Sequence, residues 1–442
     1  LNALVLGLAI TNEAVARQVV ARGGKVVVLD DRPSDAARDR ALALGVELHT
    51  TSEVDAAELL RTVDVVLPSP GVPIAHPVIA GAVAAGVPVW SEFELAAQWD
   101  DRPMVAITGT NGKTTVTTLV TDMLLEAGVR AVAAGNNDLP LVDALDDASI
   151  EVFVVEASSF RLEFTSTFRP RVAVWLNLSP DHLDWHPTFE HYAASKARIW
   201  AHQSADDVAI VNRDDDAVMA LAAGAPGRVL TFGADSGDYH VAGGSLVGEG
   251  AVIASVEELP RRLPHDLTNA LAAAAAALHA GADVASVRSV LVRFQGLPHR
   301  VQLVGDAGGV RWFDDSKATT PASVVADVSG FDSAVLIAGG KNKGLDLSVL
   351  RSLAPRLRGV VAIGEAAGLV ADAFAGAATV VTASSMDEAV SLAAGLAQPG
   401  DAVVLSPACA SYDWYANYNE RGDDFARAVR AHLATAEAEG AP

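Results

Sequence analysis

Residues 107–115 read "ITGTNGKTT", directly after the apolar run "PMVAI" (103–107). A short strand, then a Gly-rich turn ending in Lys and Thr, is how proteins grip nucleotide phosphates. Glycines let backbone N–H groups approach an anion, and the helix that follows points its positive end at it. Gly109, Thr110, Asn111, Gly112, Lys113, Thr114 and Thr115 are therefore expected to hold a nucleotide. Lys113 would reach the β- and γ-phosphates, and Thr114 would ligate Mg²⁺. The full phosphate-loop pattern asks for another Gly five residues before the Gly-Lys pair, where this chain has Ile107. The shortened loop still predicts an ATP user, and it leaves open what receives the phosphate.

The 442 residues are too many for one core and suggest roughly three α/β domains. Strand-like runs alternate with Ala-rich helical stretches, which implies βαβ units and parallel sheets. The first block opens with "ALVLGLA" (3–9) and "KVVVLDD" (25–31). The second continues from the phosphate loop through "VFVVEASSF" (152–160), "VAVWLNLSPDHLDWH" (172–186) and "VAIVNRDD" (208–215). The segment "GDYHVAGGSLVGEGAVIASV" (237–256) reads as a β-meander added to that sheet. The third block holds "VRWFDD" (310–315), "SAVLIAGG" (333–340), "GVVAIG" (359–364) and "DAVVLSP" (401–407). Rigid-body closure of three domains is expected about linkers near Trp90 and Leu297.

Composition narrows the function. A net charge of −23 opposes a nucleic-acid partner. No apolar run approaches the ~20 residues that a membrane helix needs. A single cysteine, Cys409, excludes an internal disulfide and suits a reducing, cytoplasmic setting. No cationic stretch with an apolar core and cleavage site opens the chain. Leu1 already lies in a strand-like run, so a few preceding residues are expected.

Other candidate residues follow strands. "GLAITN" (7–12), with Asp30 after the second strand, imitates a dinucleotide fingerprint, but Ala9 and Asn12 replace its second and third glycines. That argues against NAD and leaves another nucleotide-like group or plain packing. Glu156 ends "VFVVE", one strand on from the phosphate loop, where an acid suits Mg²⁺. "SPDHLDWH" (179–186) gathers Asp181, His182, Asp184 and His186. It matches no zinc spacing, and His182 is a candidate for a second Mg²⁺ or a phosphate. From its neighbours alone, Lys196 in "YAASKARIW" reads as a surface helix lysine. In the third block, "DDSKATTP" (314–321), "GGKNKG" (339–344) with Lys341 and Lys343, and "SPACASYDWYANYNERGDDF" (406–425) describe a cationic crevice suited to a small dicarboxylate.

"GTNGKTT", "EASSF", "NLSPDHLDWH", "YAASKARI", "LTNALAA", "GLPHR", "DDSKAT" and "LSPACASYDWYANYNERGDDF" occur in this order. Together they resemble the Mur ligase family over essentially the whole chain. The ending and the Rossmann-like first block resemble the branch that adds D-glutamate to UDP-N-acetylmuramoyl-L-alanine. The resemblance implies a Rossmann-like N-terminal domain binding the UDP substrate (1–92), a central P-loop ATPase-type α/β domain with added strands (93–297), and a Rossmann-like amino-acid-binding C-terminal domain (298–442). It implies a monomeric ATP-dependent amide ligase of peptidoglycan precursor synthesis that works through an acyl phosphate. It also implies two Mg²⁺ ions. Lys113 would hold phosphate, Thr114 and Glu156 would serve one ion, and His182 with a carbamylated Lys196 the other. Asn269, Arg300 and Asp315 match nucleotide contacts. Lys317, Thr319, Lys343, Ser411, Tyr412 and Tyr418 match the D-glutamate pocket. Leu8, Ala9, Ile10, Thr11, Asp30, Arg32, Gly71 and Asn136 match the uridine-nucleotide side. The chain departs from the family pattern in its aromatic tail "YDWYANY", where Leu and Phe are usual in several slots, and in "GNND" (135–138), where Gly-Asn-Ile-Gly is usual. Rival readings are another ligase of the same superfamily, a folylpolyglutamate synthase, or a nucleotide-binding switch that ligates nothing.

Overall fold

The computed structural model describes residues 1–137, 139–183 and 185–440. Asp138 of "GNND" and Asp184 of "SPDHLDWH" lie outside the described residues. The described chain divides into two compact units, Leu1–Leu259 with Thr268–Arg293, and Pro260–Leu267 with Phe294–Pro442.

The first unit carries two sheets. Strands β1 (Asn2–Leu6), β2 (Lys25–Leu29), β3 (Glu47–His49) and β4 (Val65–Pro68) form a parallel sheet in the order β3-β2-β1-β4. The side chain of Asn12 explains why the expected third glycine of the fingerprint is absent. It is buried and donates to the carbonyls of Gly7 and Leu67, both at 3.0 Å. A glycine there could not make these bonds between the helix Ile10–Ala21 and the sheet.

The second sheet has nine strands. They are β5 (Met104–Thr108), β6 (Ala131–Gly135), β7 (Val152–Glu156), β8 (Val172–Trp175), β9 (Val208–Asn212), β10 (Arg228–Phe232), β11 (Tyr239–Ala242), β12 (Ser245–Gly248) and β13 (Ala251–Ser255). The order is β13-β12-β11-β10-β9-β8-β5-β7-β6. The last three strands are the expected meander, antiparallel to one another. Every residue of β5, β7 and β8 is buried, as their unbroken apolar runs require of central parallel strands.

One apolar core runs through both sheets of this unit, from Val5 and Val28 through Phe93 and Leu95 to Val155 and Trp175. Arg17 and Gln18 add polar links to Asp143. Ala270–Ala277 are all buried, so the helix Pro264–His279 is apolar on every side along that stretch.

The second unit contains β14 (Gln302–Ala307), β15 (Val310–Asp314), β16 (Ala334–Gly339), β17 (Leu357–Ile363), β18 (Val380–Thr382) and β19 (Ala402–Leu405). Their order is β14-β15-β19-β16-β17-β18, parallel except for β14 on the edge. The adjacent strands β15, β19 and β16 therefore send their following loops to the same edge. Among the described residues, no helix is long and apolar enough to cross a membrane.

Candidate active site

The phosphate loop follows β5, the strand between β7 and β8. Ile107 pairs with Glu156 on one side and with Val174 on the other. That register brings the loops after all three strands to one edge. Gly112 begins the helix Lys113–Glu126 with a left-handed φ of 83° and no side-chain cap. The first N–H groups of an α-helix have no intrahelical partner, so this turn presents donors to an anion. The loop is braced from β8. Asn177 Oδ1 accepts from the Thr110 and Asn111 N–H groups at 3.0 and 2.8 Å, and its Nδ2 donates to the Asn111 carbonyl at 3.2 Å. Asn269 closes the other side: a Cβ on Gly112 would lie 2.6 Å from its Oδ1. Thr115 follows in the first helical turn.

Lys196 is not the surface lysine that its neighbours suggest. It is 2 % exposed. The helix Phe189–Ala197 lays it across the Tyr192 ring, and Nζ donates to the Gly109 carbonyl at 2.8 Å. Lys113 Nζ donates to the same carbonyl at 2.9 Å. Burial, and then the charge of Lys113, push the Lys196 amine well below the usual lysine pKa. The sequence misleads here because the burying partner is a loop 87 residues away. Tyr192 also comes within 3.2 Å of the Thr110 hydroxyl, so this helix and the phosphate loop form one structure.

Glu156 is buried. Its Oε1 accepts from Asn136 Nδ2 at 3.0 Å, and its Oε2 has no hydrogen-bond partner. A buried carboxylate oxygen without a donor is expensive unless a cation or ligand takes it. The half-exposed His182 has a positive φ of 54° and packs on the edge of Phe160, 4.7 Å between centroids. Asp181 lies 3.4 Å from its Nε2. His186 is instead fully buried against Ser159 and His191. Among the described residues, no three His, Cys, Asp or Glu side chains gather as a cation site.

Leu8, Ala9, Ile10 and Thr11 lie at the start of the helix Ile10–Ala21, whose N-terminus also lacks a side-chain cap. Asp30 accepts from the Leu8 and Arg32 N–H groups. Gly71 is exposed in the loop after β4, where the neighbouring Val72 carbonyl accepts from Trp185 Nε1 at 2.7 Å. That bond ties the Gly71 loop to the segment bearing His182.

In the second unit, the loops after β15, β16 and β19 meet as their strand order requires. Lys341 and Ala410 exchange backbone hydrogen bonds, at 2.8 and 3.0 Å. Lys317 Nζ lies over the Tyr418 ring at 3.8 Å, and Lys343 Nζ over the Tyr412 ring at 5.6 Å. The departures in the aromatic tail thus place two rings under two cations. Ser411 is buried nearby in sequence, and Thr319 is half-buried. Asp315 points inward: it accepts from the Ser406 hydroxyl at 2.6 Å, and burial beside Asp327 drives its pKa up. Arg300 belongs to this same unit. Arg421, absent from the sequence-based site, is 1 % exposed and donates to the Ser316 hydroxyl, the Ser316 carbonyl and the Cys409 carbonyl. It fastens two of the three loops, and burial lowers its pKa to about 10.

Three family models tile the chain: "Mur ligase MurD-like, N-terminal domain" over residues 1–91, "Mur ligase middle domain" over 107–277, and "Mur ligase, glutamate ligase domain" over 299–409. The chain is 40 % identical to the UDP-N-acetylmuramoylalanine--D-glutamate ligase of Pelotomaculum thermopropionicum, covering 96 % of each. It is 43 % identical to the ligase of the same name from Frankia casuarinae, covering 98 % of this chain and 94 % of that one.

The chain belongs to the Mur ligase family.

Solved Mur ligases share the fold at low identity. MurF from Acinetobacter baumannii superposes with a TM-score of 0.61 at 21 % identity, covering 96 % of this chain and 90 % of that one. MurC from Thermotoga maritima gives 0.59 at 17 %, covering 98 % and 99 %. Three residues that hold the candidate loops were missed in the sequence: Asn177, Arg161, which donates to Asn136 and Thr11, and Arg421. The first stands inside "NLSPDHLDWH", the second follows "EASSF", and the third lies in "NERGDDF". The motifs marked each neighbourhood without distinguishing groups that touch a ligand from groups that hold the loops.

Proposed function

We propose that this chain joins D-glutamate to UDP-N-acetylmuramoyl-L-alanine, as its relatives' names state for them, and that it does so at the expense of ATP. Residues 1–92 would take the uridine substrate, 93–297 ATP, and 298–442 the amino acid. The observation that carries the ligase reading is the buried Lys196 on the Gly109 carbonyl of the phosphate loop. A nucleotide switch has no need of an amine buried there, where burial favours its neutral form. A neutral amine is the form that adds CO₂, losing one proton to give an anionic carbamate. That product would present oxygen where the present group presents a donor, so with His182 it suits a Mg²⁺ ligand set. The unpartnered Oε2 of Glu156, with Thr114, suits a second Mg²⁺. Bound there, the ions would neutralise negative charge gathering between carboxylate and triphosphate.

The alanyl carboxylate is a poor electrophile until one of its oxygens becomes a leaving group. Its oxygen attacks the γ-phosphorus and ADP departs, giving an acyl phosphate. The D-glutamate amine then attacks the acyl carbon, inorganic phosphate leaves, and the amine gives up a proton as the amide forms. Lys113 and the uncapped helix at Gly112 would stabilise the transferring phosphoryl group. Lys317 and Lys343, each backed by a tyrosine ring, would hold the D-glutamate carboxylates. Asn269, beside Gly112, would meet the nucleotide. We place the enzyme in the cytoplasm as a monomer, where a buried Cys409, its thiol pKa raised by burial to about 11, stays inert.

The test is ADP release with UDP-N-acetylmuramoyl-L-alanine across a panel of amino acids. A response to D-glutamate alone is expected. A response to L-alanine, a diamino acid or a folate substrate refutes the assignment.

A further inference from the structure

We infer that Arg161 is a positioning residue that sets the free oxygen of Glu156 and couples it to Thr11 on the uridine-nucleotide side. The inference rests on the function proposed above for the roles of those two residues. Arg161 lies in the short helix Ser159–Glu163 and is 6 % exposed. Its Nη1 donates to Asn136 Oδ1 at 2.8 Å, and its Nη2 donates to Thr11 Oγ1 at 3.0 Å. Thr11, Asn136 and Glu156 stand on three separate elements, and one planar guanidinium spans the first two.

The chemistry of the donors fixes the arrangement. A guanidinium only donates and an ionised carboxylate only accepts. Asn136 sits between them, so its amide has one allowed orientation: Oδ1 toward Arg161 and Nδ2 toward Glu156 Oε1, at 3.0 Å. Oε1 is thereby occupied while Oε2 keeps no hydrogen-bond partner. Without Arg161 the amide could turn, and its carbonyl would face the carboxylate and repel it. At the other end, Thr11 Oγ1 accepts from Arg161, which leaves its proton to donate elsewhere, the polarity that an anionic substrate group requires. The charge of Arg161 is not spent on a close ion pair. Glu92 Oε1 lies 3.8 Å from Nε, and Nε has no hydrogen-bond partner. Burial raises the Glu92 pKa, which weakens that pairing further.

The test uses Arg161→Met, which keeps much of the volume and removes all donors, and Arg161→Lys, which keeps the charge but offers no fork to span two partners. Mn²⁺ affinity of the ADP complex is read by electron paramagnetic resonance, uridine-substrate affinity by calorimetry, and metal-free ADP affinity as the control. Losing one charge-assisted hydrogen bond at each end is expected to weaken both Mn²⁺ and uridine-substrate binding roughly tenfold in R161M, with metal-free ADP affinity unchanged. R161K should restore one of the two and not both. Thr11→Val should lower Mn²⁺ affinity in the parent chain and have no effect in R161M. Unchanged Mn²⁺ affinity in R161M overturns the inference, and so does an equal loss of metal-free ADP affinity. If R161M does not fold, R161K decides: full retention of both affinities overturns the inference. A parent enzyme that fails to ligate D-glutamate defeats the functional reading instead, whereas the Mn²⁺ measurement needs no substrate and still judges Arg161.

Discussion

Removing the Asn177 side chain probes how the phosphate loop is held. The side chain makes three bonds to the loop, from Thr110 N–H, from Asn111 N–H and to the Asn111 carbonyl. Thr110 N–H also reaches the Asn177 backbone carbonyl at 3.1 Å, and that bond survives any substitution. At about 1 kcal/mol net for each bond, Asn177→Ala should cost roughly 2–3 kcal/mol. Melting should fall by about 5 °C, and a loosened loop should raise KM for ATP about tenfold. Asn177→Asp separates brace from charge. It keeps two acceptors for the loop N–H groups but sets a negative charge beside the phosphate site. At an effective dielectric of about 20, a unit charge some 8 Å from a phosphate charge is worth roughly 2 kcal/mol. N177D should therefore melt closer to the parent than N177A does and yet bind ATP more weakly than N177A. Differential scanning fluorimetry and calorimetric ATP titration read the two effects. An unchanged melting temperature and KM in N177A, or equal ATP affinity in the two variants, would refute the reasoning.

Lys196→Ala should abolish most turnover while leaving ADP affinity near that of the parent, and a small added carboxylic acid should restore part of the rate; full turnover in K196A would remove the carbamate role. Gly112→Ala should drive its Cβ into Asn269 from a left-handed backbone and weaken nucleotide binding more than tenfold, as judged by ATP titration. Lys317→Met should raise KM for D-glutamate by an order of magnitude or more without moving KM for ATP. Glu94 reports on pH. Burial alone would raise its pKa, but hydrogen bonds from Ser166, Thr167 and Gln98 outweigh it and bring the carboxyl from 4.5 down to about 2. A depressed pKa stabilises the fold fully above about pH 4.5 and loses that contribution as pH falls toward 2. Urea midpoints of Glu94→Gln and the parent should therefore differ most at neutral pH and converge near pH 2.

The parts legible in the sequence were those written in contiguous residues. The strand, turn and helix around Gly112, the acid ending β7 and the cationic loops of the third sheet each carry their own local signal, and the apolar runs mark buried parallel strands. Burial imposed from a distance was not legible. Lys196 occupies an ordinary helical position and is covered by a loop that nothing around it announces. Arg161 and Arg421 look like surface charges in a sequence, yet each is buried where two or three hydroxyl, amide or carbonyl oxygens accept from its guanidinium. Asn12 sits where a dinucleotide fingerprint would have glycine, and its helix-to-sheet bonds show that this residue packs the turn. The motif resemblance singled out Lys196 where its neighbours gave no signal, and the structure buries it against the Gly109 carbonyl.

The central claim is that the phosphate passes to a substrate carboxylate before the amide forms. It is tested most directly by labelling the alanyl carboxylate of UDP-N-acetylmuramoyl-L-alanine with ¹⁸O and taking the mass of the phosphate released with D-glutamate present. An acyl phosphate keeps the bridging carboxylate oxygen on phosphorus when the amine displaces it. The account expects one ¹⁸O in each inorganic phosphate and one fewer in the amide product. Unlabelled phosphate, with the lost label in water instead, would contradict it.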